Sequence, residues 1–132
     1  MQSERFSLRG AILLGLALLA AAAWLATVLG VAYGEGLFRL EDPAATFYPP
    51  LAKHPTIKIA DLLHWASGID WQEDYEYAPL KSSVVAMLYT RGHRDMAAFT
   101  ADHDAYAEPG QAFRYSSGDS NLLAAALKNI VG

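Results

Sequence analysis

From Gly10 to Tyr33 the chain carries no charged residue, and most of the run is leucine and alanine. About 24 residues at roughly 1.5 Å each reach across a hydrocarbon core of about 30 Å, so the run is long enough for a membrane helix. Arg5 and Arg9 precede it, and Glu35, Glu41 and Asp42 follow. The excess of positive charge before the run places the N-terminus in the cytoplasm and the rest of the chain outside. The expected division is a cytoplasmic N-terminus (1–9), a transmembrane anchor (10–33) and an external part (34–132). A cleaved signal peptide is the rival, with Ala21-Ala22-Ala23 supplying small residues and a secreted or periplasmic product as its consequence. Signal-peptide apolar regions usually run about 7–15 residues, and this one is longer. The retained single-pass anchor in the cell membrane is therefore preferred.

Beyond the run, roughly 95 residues remain, enough for one small core and no second domain. The hydrophobic fraction of 53% owes most of its excess to the anchor. A net charge of −4 with no basic tract argues against nucleic acid as a partner. The absence of cysteine excludes disulfides, Cys-based zinc sites and a thiol nucleophile. His54, His64, His93 and His103 are scattered singly, without metal-ligand spacing. With no Gly-rich phosphate loop either, no cofactor is expected.

The external part reads as mainly helices and loops. Gly34 and Gly36 can each end the apolar helix, and Pro43 blocks its return. Phe47-Tyr48-Pro49-Pro50 is expected to be extended. A helix over about Ile59–Ala66 puts Ile59, Leu62, Leu63 and Ala66 on one face, stops at Gly68, and carries His64 and Trp65 as packing residues. Ser82 or Ser83 can cap a helix to about Tyr89 that buries Val84, Val85 and Leu88, with Met87 at its margin. Asp95 can cap a turn through Met96 to Thr100, and a last helix over about Ser120–Val131 buries Leu122, Leu123, Ala126, Leu127 and Ile130. Between the first two of these helices, Asp70 to Tyr77 combines four acids with three aromatics. It lacks the alternating Asp and central Gly of a calcium loop. A solvated loop with its aromatics folded on the body is preferred over a lid.

The stretch from Glu108 to Leu123 carries the candidate chemistry. Pro109-Gly110 is a turn dipeptide. Phe113 and Tyr115 alternate with Arg114 as in a short strand. Ser116, Ser117 and Asp119 can cap the helix that follows. A tyrosine hydroxyl fixed where strand gives way to helix can serve in proton transfer. The competing reading makes Tyr115 a packed aromatic beside a capped helix.

Three stretches taken together resemble the β-lactamase-related serine hydrolases. That family includes class C β-lactamases, penicillin-binding-protein-like peptidases, esterases and 6-aminohexanoate-oligomer hydrolases. Gly30-Val31-Ala32 through Leu37, with Leu40-Glu41-Asp42-Pro43, resembles the end of the family's nucleophile-bearing helix and the loop after it. Ile57-Lys58-Ile59-Ala60-Asp61-Leu62-Leu63-His64-Trp65-Ala66-Ser67-Gly68-Ile69 resembles its I-T-I-x-x-L-L-x-x-x-S-G-L signature, with Lys58 where the capping Thr stands. That exchange costs about 1 kcal/mol if nothing else caps the helix. Pro109-Gly110 to Tyr115-Ser116-Ser117 resembles the P-G-x-x-x-x-Y-S-N stretch of the second catalytic motif. Ser117 stands in place of the motif Asn, a substitution shared with the 6-aminohexanoate-hydrolase-like branch.

The resemblance implies an α/β sandwich with an attached helical region, of which this chain keeps mainly helices and loops behind one transmembrane helix. It also implies acyl-enzyme hydrolysis of an amide, ester or peptidoglycan-like substrate. A Ser-x-x-Lys motif supplies nucleophile and base one helical turn apart. The second-motif tyrosine shares the proton transfer, and a late Lys-Thr-Gly or His-x-Gly strand helps bind substrate and line the oxyanion site. Tyr115 matches the tyrosine. By family spacing the Ser-x-x-Lys falls near Leu19-Ala20-Ala21-Ala22, which are aliphatic, and the third motif has no counterpart. The sequence expectation is a truncated, membrane-anchored relative, inactive alone and marginally stable without the sheet. An internal deletion joining the anchor to the middle of the domain would produce this arrangement. The alternatives are a non-catalytic anchored binding module and a small membrane protein whose helices pair with other subunits.

Overall fold

A computed structural model describes residues 8–132; within its first helix, the side chains of residues 11, 14, 18, 21 and 22 are not described. Among the described residues six α-helices form: α1 (Leu8–Gly34), α2 (Ala44–Phe47), α3 (Ile59–Leu63), α4 (Ser83–Tyr89), α5 (Met96–Ala101) and α6 (Ser117–Val131). Short 3₁₀ turns, Pro49–Lys53 and Pro79–Lys81, precede α3 and α4. Extended pairing among the described residues is limited to two isolated antiparallel bridges, Pro43 with Lys58 and Ile69 with Ala105. The fold is thus mainly helical.

The apolar run is helical, as its composition demands. It closes through Gly36 at φ 73°, where Leu37 N–H reaches the Ala32 carbonyl and Gly36 N–H reaches that of Tyr33. This paired arrangement satisfies two of the orphan carbonyls of the last turn and needs the left-handed backbone that glycine adopts without penalty. The membrane expectation fares differently: among the described residues, no helix is long and apolar enough to cross a membrane. The last turns of α1 are instead committed to the body. Leu29 and Ala32 are buried in the main core, and Leu25 and Val28 pack against it. Their spacing of three and four residues is one face of a helix.

The core is built around α6, which packs on α1, α2, α3 and α5. Leu122 and Ala126 are fully enclosed, flanked by Leu123 and Leu127, and meet Leu51, Ile57, Ile59 and Leu62. A second cluster joins Trp71, Val84 and Met87, with Met96 and Phe99 against it. Serine and aspartate caps sit where the pattern requires. Ser82 accepts from Val85 N–H, Asp95 from Ala98 N–H and Ser116 from Asp119 N–H. At α3 the Lys58 N–H is held by the Asp61 carboxylate at 2.9 Å, which offsets part of the cost of the missing threonine.

Several expectations are corrected. The third helix ends at Leu63, because Trp65 takes φ 49° and the chain turns there; His64 and Trp65 lie past the helix. In α4, Met87 is buried and Leu88 is exposed. The stretch expected to be extended is not: Phe47 ends α2 and Pro49-Pro50 opens a 3₁₀ turn, with only Tyr48 between them. Phe113–Tyr115 forms no strand, since Arg114 N–H bonds the lone carbonyl of Trp65 at 2.8 Å rather than a neighbouring strand. In the acidic loop only Trp71 folds inward; Tyr75 and Tyr77 stay exposed.

Candidate functional site

Tyr115 lies immediately before the cap of α6, half exposed at 51%. Its ring meets the edge of Trp65 with centroids 4.9 Å apart, and Phe113 meets the same indole at 6.0 Å. Trp65 is itself fixed at both ends. Its backbone carbonyl accepts from Arg114 N–H, and its indole N–H donates to Ser120 Oγ at 3.1 Å. The left-handed turn at Trp65 therefore sets the tilt of the Tyr115 ring, leaving the phenol edge toward solvent. An open cavity of about 620 Å³ adjoins this corner, lined by Asp61, His64, Trp65, Gly110 and Phe113 among others.

Ser117 is the first residue of α6, and both of its donors point at one carboxylate. Its N–H and Oγ–H reach Glu73 Oε2 at 3.1 and 3.0 Å, and the same oxygen takes the Trp71 indole N–H at 2.6 Å. A carboxylate at a helix start is favoured by the free N–H groups of the first turn. Glu73 thus ties the acidic loop to the position of the motif asparagine. Replacing Glu73 with alanine leaves the three donors without their acceptor, at a cost of about 1.5–3 kcal/mol. The expected readout is faster proteolytic cleavage between Tyr75 and Tyr77 together with a shifted Trp71 emission.

Beneath Tyr115 lies a buried polar knot. Asp119, 1% exposed, accepts the Ser67 hydroxyl at 2.7 Å, and Ser67 Oγ in turn accepts from Ile69 N–H at 3.2 Å. Burial pushes the Asp119 carboxyl up to about 6, against the lowering effect of its bonds from Ser67 and Ser116. Ser67 and Asp119 fasten the loop after α3 to the first turn of α6.

The structure places Tyr115 and Ser117 at one helix start. Their hydroxyls have different surroundings: Ser117 is engaged by Glu73, while among the described residues Tyr115 Oη has no hydrogen-bond partner. The stretch to which the family spacing assigns nucleophile and lysine, Leu19 to Ala22, lies on α1, and Leu19 there is exposed and aliphatic. Among the described residues no group of three or more His, Asp or Glu side chains converges to hold a metal. Sequence reasoning missed Glu73, Trp71 and Ser67 as members of this corner, and it gave Asp119 and Ser117 capping roles, whereas Ser116 is the cap, Asp119 holds Ser67 and Ser117 holds Glu73. Signals existed for Ser67 and Asp119: Ser67-Gly68 ends the quoted signature, and Ser116-x-x-Asp119 has capping spacing.

No curated protein matches the chain. The family model described as Beta-lactamase matches residues 23–132, taking in the end of α1, the Ser67-Gly68 turn and the Tyr115 corner. With that match over most of its length, the chain belongs to the beta-lactamase family.

Proposed function

We propose that the chain is a membrane-anchored member of the β-lactamase-related serine hydrolases that keeps the second-motif wall of the active site and forms no acyl-enzyme by itself. The observation carrying this reading is a mismatch between two halves of one site. Tyr115 and Ser117 are built into a capped, hydrogen-bonded corner, yet Leu19 and its neighbours offer neither hydroxyl nor amine. Removing a serine nucleophile costs about six orders of magnitude in rate, so a ligand meeting this wall is bound rather than turned over. The family chemistry makes that ligand a small amide or ester, or a peptidoglycan-like peptide. In this reading residues 1–9 are cytoplasmic, 10–33 enter the membrane, and 34–132 belong to a hydrolase-family domain outside the cytoplasm.

A non-catalytic anchored binding module is the second reading, favoured by the open cavity beside Trp65. Both share one test with opposite bearings on the lost chemistry. The full chain is incubated with a fluorophosphonate probe and with a fluorescent penicillin. No covalent label is expected on any serine, and a labelled serine overturns the proposal. Reversible displacement of the penicillin by small amides then separates a retained substrate wall from a site for an unrelated ligand.

A further inference from the structure

The end of α1 serves two masters. The uncharged run continues to Tyr33, but from Leu25 onward one face of the helix is already packed on the core around α6. That leaves Gly10–Trp24 for lipid, about 15 residues or roughly 22 Å of helix, short of a hydrocarbon core of about 30 Å. A helix too short for its bilayer is accommodated by local thinning, which brings the headgroup level to the residues that flank the span. Leu63, 36% exposed, and the half-buried Trp65 face α1 across a cavity, and Trp65 carries the exposed Phe113 and Tyr115 rings against it. Tryptophan and tyrosine are the residues that settle at the headgroup level, apolar body inward and polar tip outward.

That cavity is a groove of about 310 Å³ walled by Leu25, Ala26 and Leu29 on α1, with Leu63, Trp65 and Leu123 opposite. Its polar side chains, the Ser120 hydroxyl and the Trp65 indole N–H, already bond each other, and the rest of the named lining is aliphatic. A polar substrate would find little there to bond. An apolar tail arriving along α1 meets no charged residue between Gly10 and Tyr33, and the same helix supplies one wall of the groove through Leu25, Ala26 and Leu29.

We infer that this groove takes one acyl chain of a bilayer lipid, with the lipid headgroup beside Tyr115. The assignment rests on the anchored reading given above and adds a ligand and a seating to it. Bilayer lipid, rather than a free fatty acid, is the source because the shortened anchor brings the groove mouth to the level of the membrane's own chains.

The test uses the full chain with Trp24→Phe, reconstituted in phosphatidylcholine vesicles whose acyl chains carry bromine, a short-range quencher of indole emission. Trp24 faces away from the groove, and Trp71 is 1% exposed in the second cluster. Trp65 and Trp71 are the two indoles left of three, so seating of a brominated chain removes up to about half of the emission. Adding Ala26→Phe fills the groove and restores it. The wild-type chain, with a diazirine-bearing phosphatidylcholine, gives the same answer without a groove variant: adducts are expected on residues 62–65 and 120–123. Vesicle flotation separates the possible failures. A chain that floats, keeps its full emission and takes adducts only on residues 10–24 overturns the groove assignment while leaving the anchor in place. A chain that stays at the bottom of the gradient overturns the anchor, and the groove assignment with it.

Discussion

Replacing Gly68 with alanine is expected to destabilise the chain by about 3–5 kcal/mol, the upper range for a single substitution. Gly68 has φ 78°, a left-handed backbone that costs an L side chain roughly 1–2 kcal/mol. Space is the harder limit. A Cβ there would stand 2.1 Å from the Ala107 carbonyl oxygen and 2.9 Å from its carbon. Those atoms are backbone, and the segment is held by Tyr106 N–H on the Gly68 carbonyl at 2.8 Å, so no side-chain rotation relieves the contact. Relief requires pulling residues 105–108 away from residues 67–69, which breaks the Ile69–Ala105 bridge and loosens the Pro109-Gly110 turn that leads to Tyr115. Urea denaturation followed by far-UV circular dichroism measures the loss. A midpoint within error of the parent would show that the two segments separate freely and that the Tyr115 corner is not anchored through Gly68.

That contact explains why part of the fold was legible in the sequence and part was not. Caps and local patterns act over a few residues, and they placed α4, α5 and α6 to within a turn. Ser82 and Asp95 accept the amides that their positions require. The end of α3 was illegible because a tryptophan, not a glycine, takes the left-handed turn after it. The strand expected at Phe113–Tyr115 needed a neighbour, and alternation alone cannot reveal whether one exists. In α1, leucine and alanine on every side hid the face that Leu25, Val28, Leu29 and Ala32 turn to the core. Tyr115 and Ser117 were singled out through the motif resemblance, and both lie at the start of α6. Their partners were not: Glu73 lies 44 residues from Ser117, and Ser67 lies 52 from Asp119. The aromatic, acidic loop stood out by composition, but nothing in it marked which of its acids would turn inward.

Substituting Asp119 by asparagine is expected to remove a pH dependence of stability worth about 3 kcal/mol. The carboxyl rises from 3.8 in the unfolded chain to about 6 in the folded one, driven first by burial and only slightly by the charge of Asp61. At about 1.36 kcal/mol per tenfold change in the ionisation constant, that difference is worth roughly 3 kcal/mol. Its sign follows from proton counting. Between pH 3.8 and about 6 the folded chain holds a proton that the unfolded chain has released, so stability falls as pH rises through this window. The contribution is fully present below the unfolded value and lost above the folded one. An asparagine in place of Asp119 can still accept the Ser67 hydroxyl through its amide oxygen, so the geometry of the knot is retained while the charge is absent. The two proteins should therefore converge in urea stability near pH 4, and the asparagine variant should lead at pH 7 by up to about 3 kcal/mol. Parallel pH profiles would mean that Asp119 titrates normally and that water reaches it. Such a large penalty at neutral pH is tolerable because the ionised group accepts the bond that joins Ser67 to the first turn of α6, the turn that carries Ser117. Measuring penicillin binding alongside stability divides the two roles. If the asparagine variant is more stable at pH 7 yet binds less well, the charge of Asp119 serves the Tyr115 corner rather than the fold.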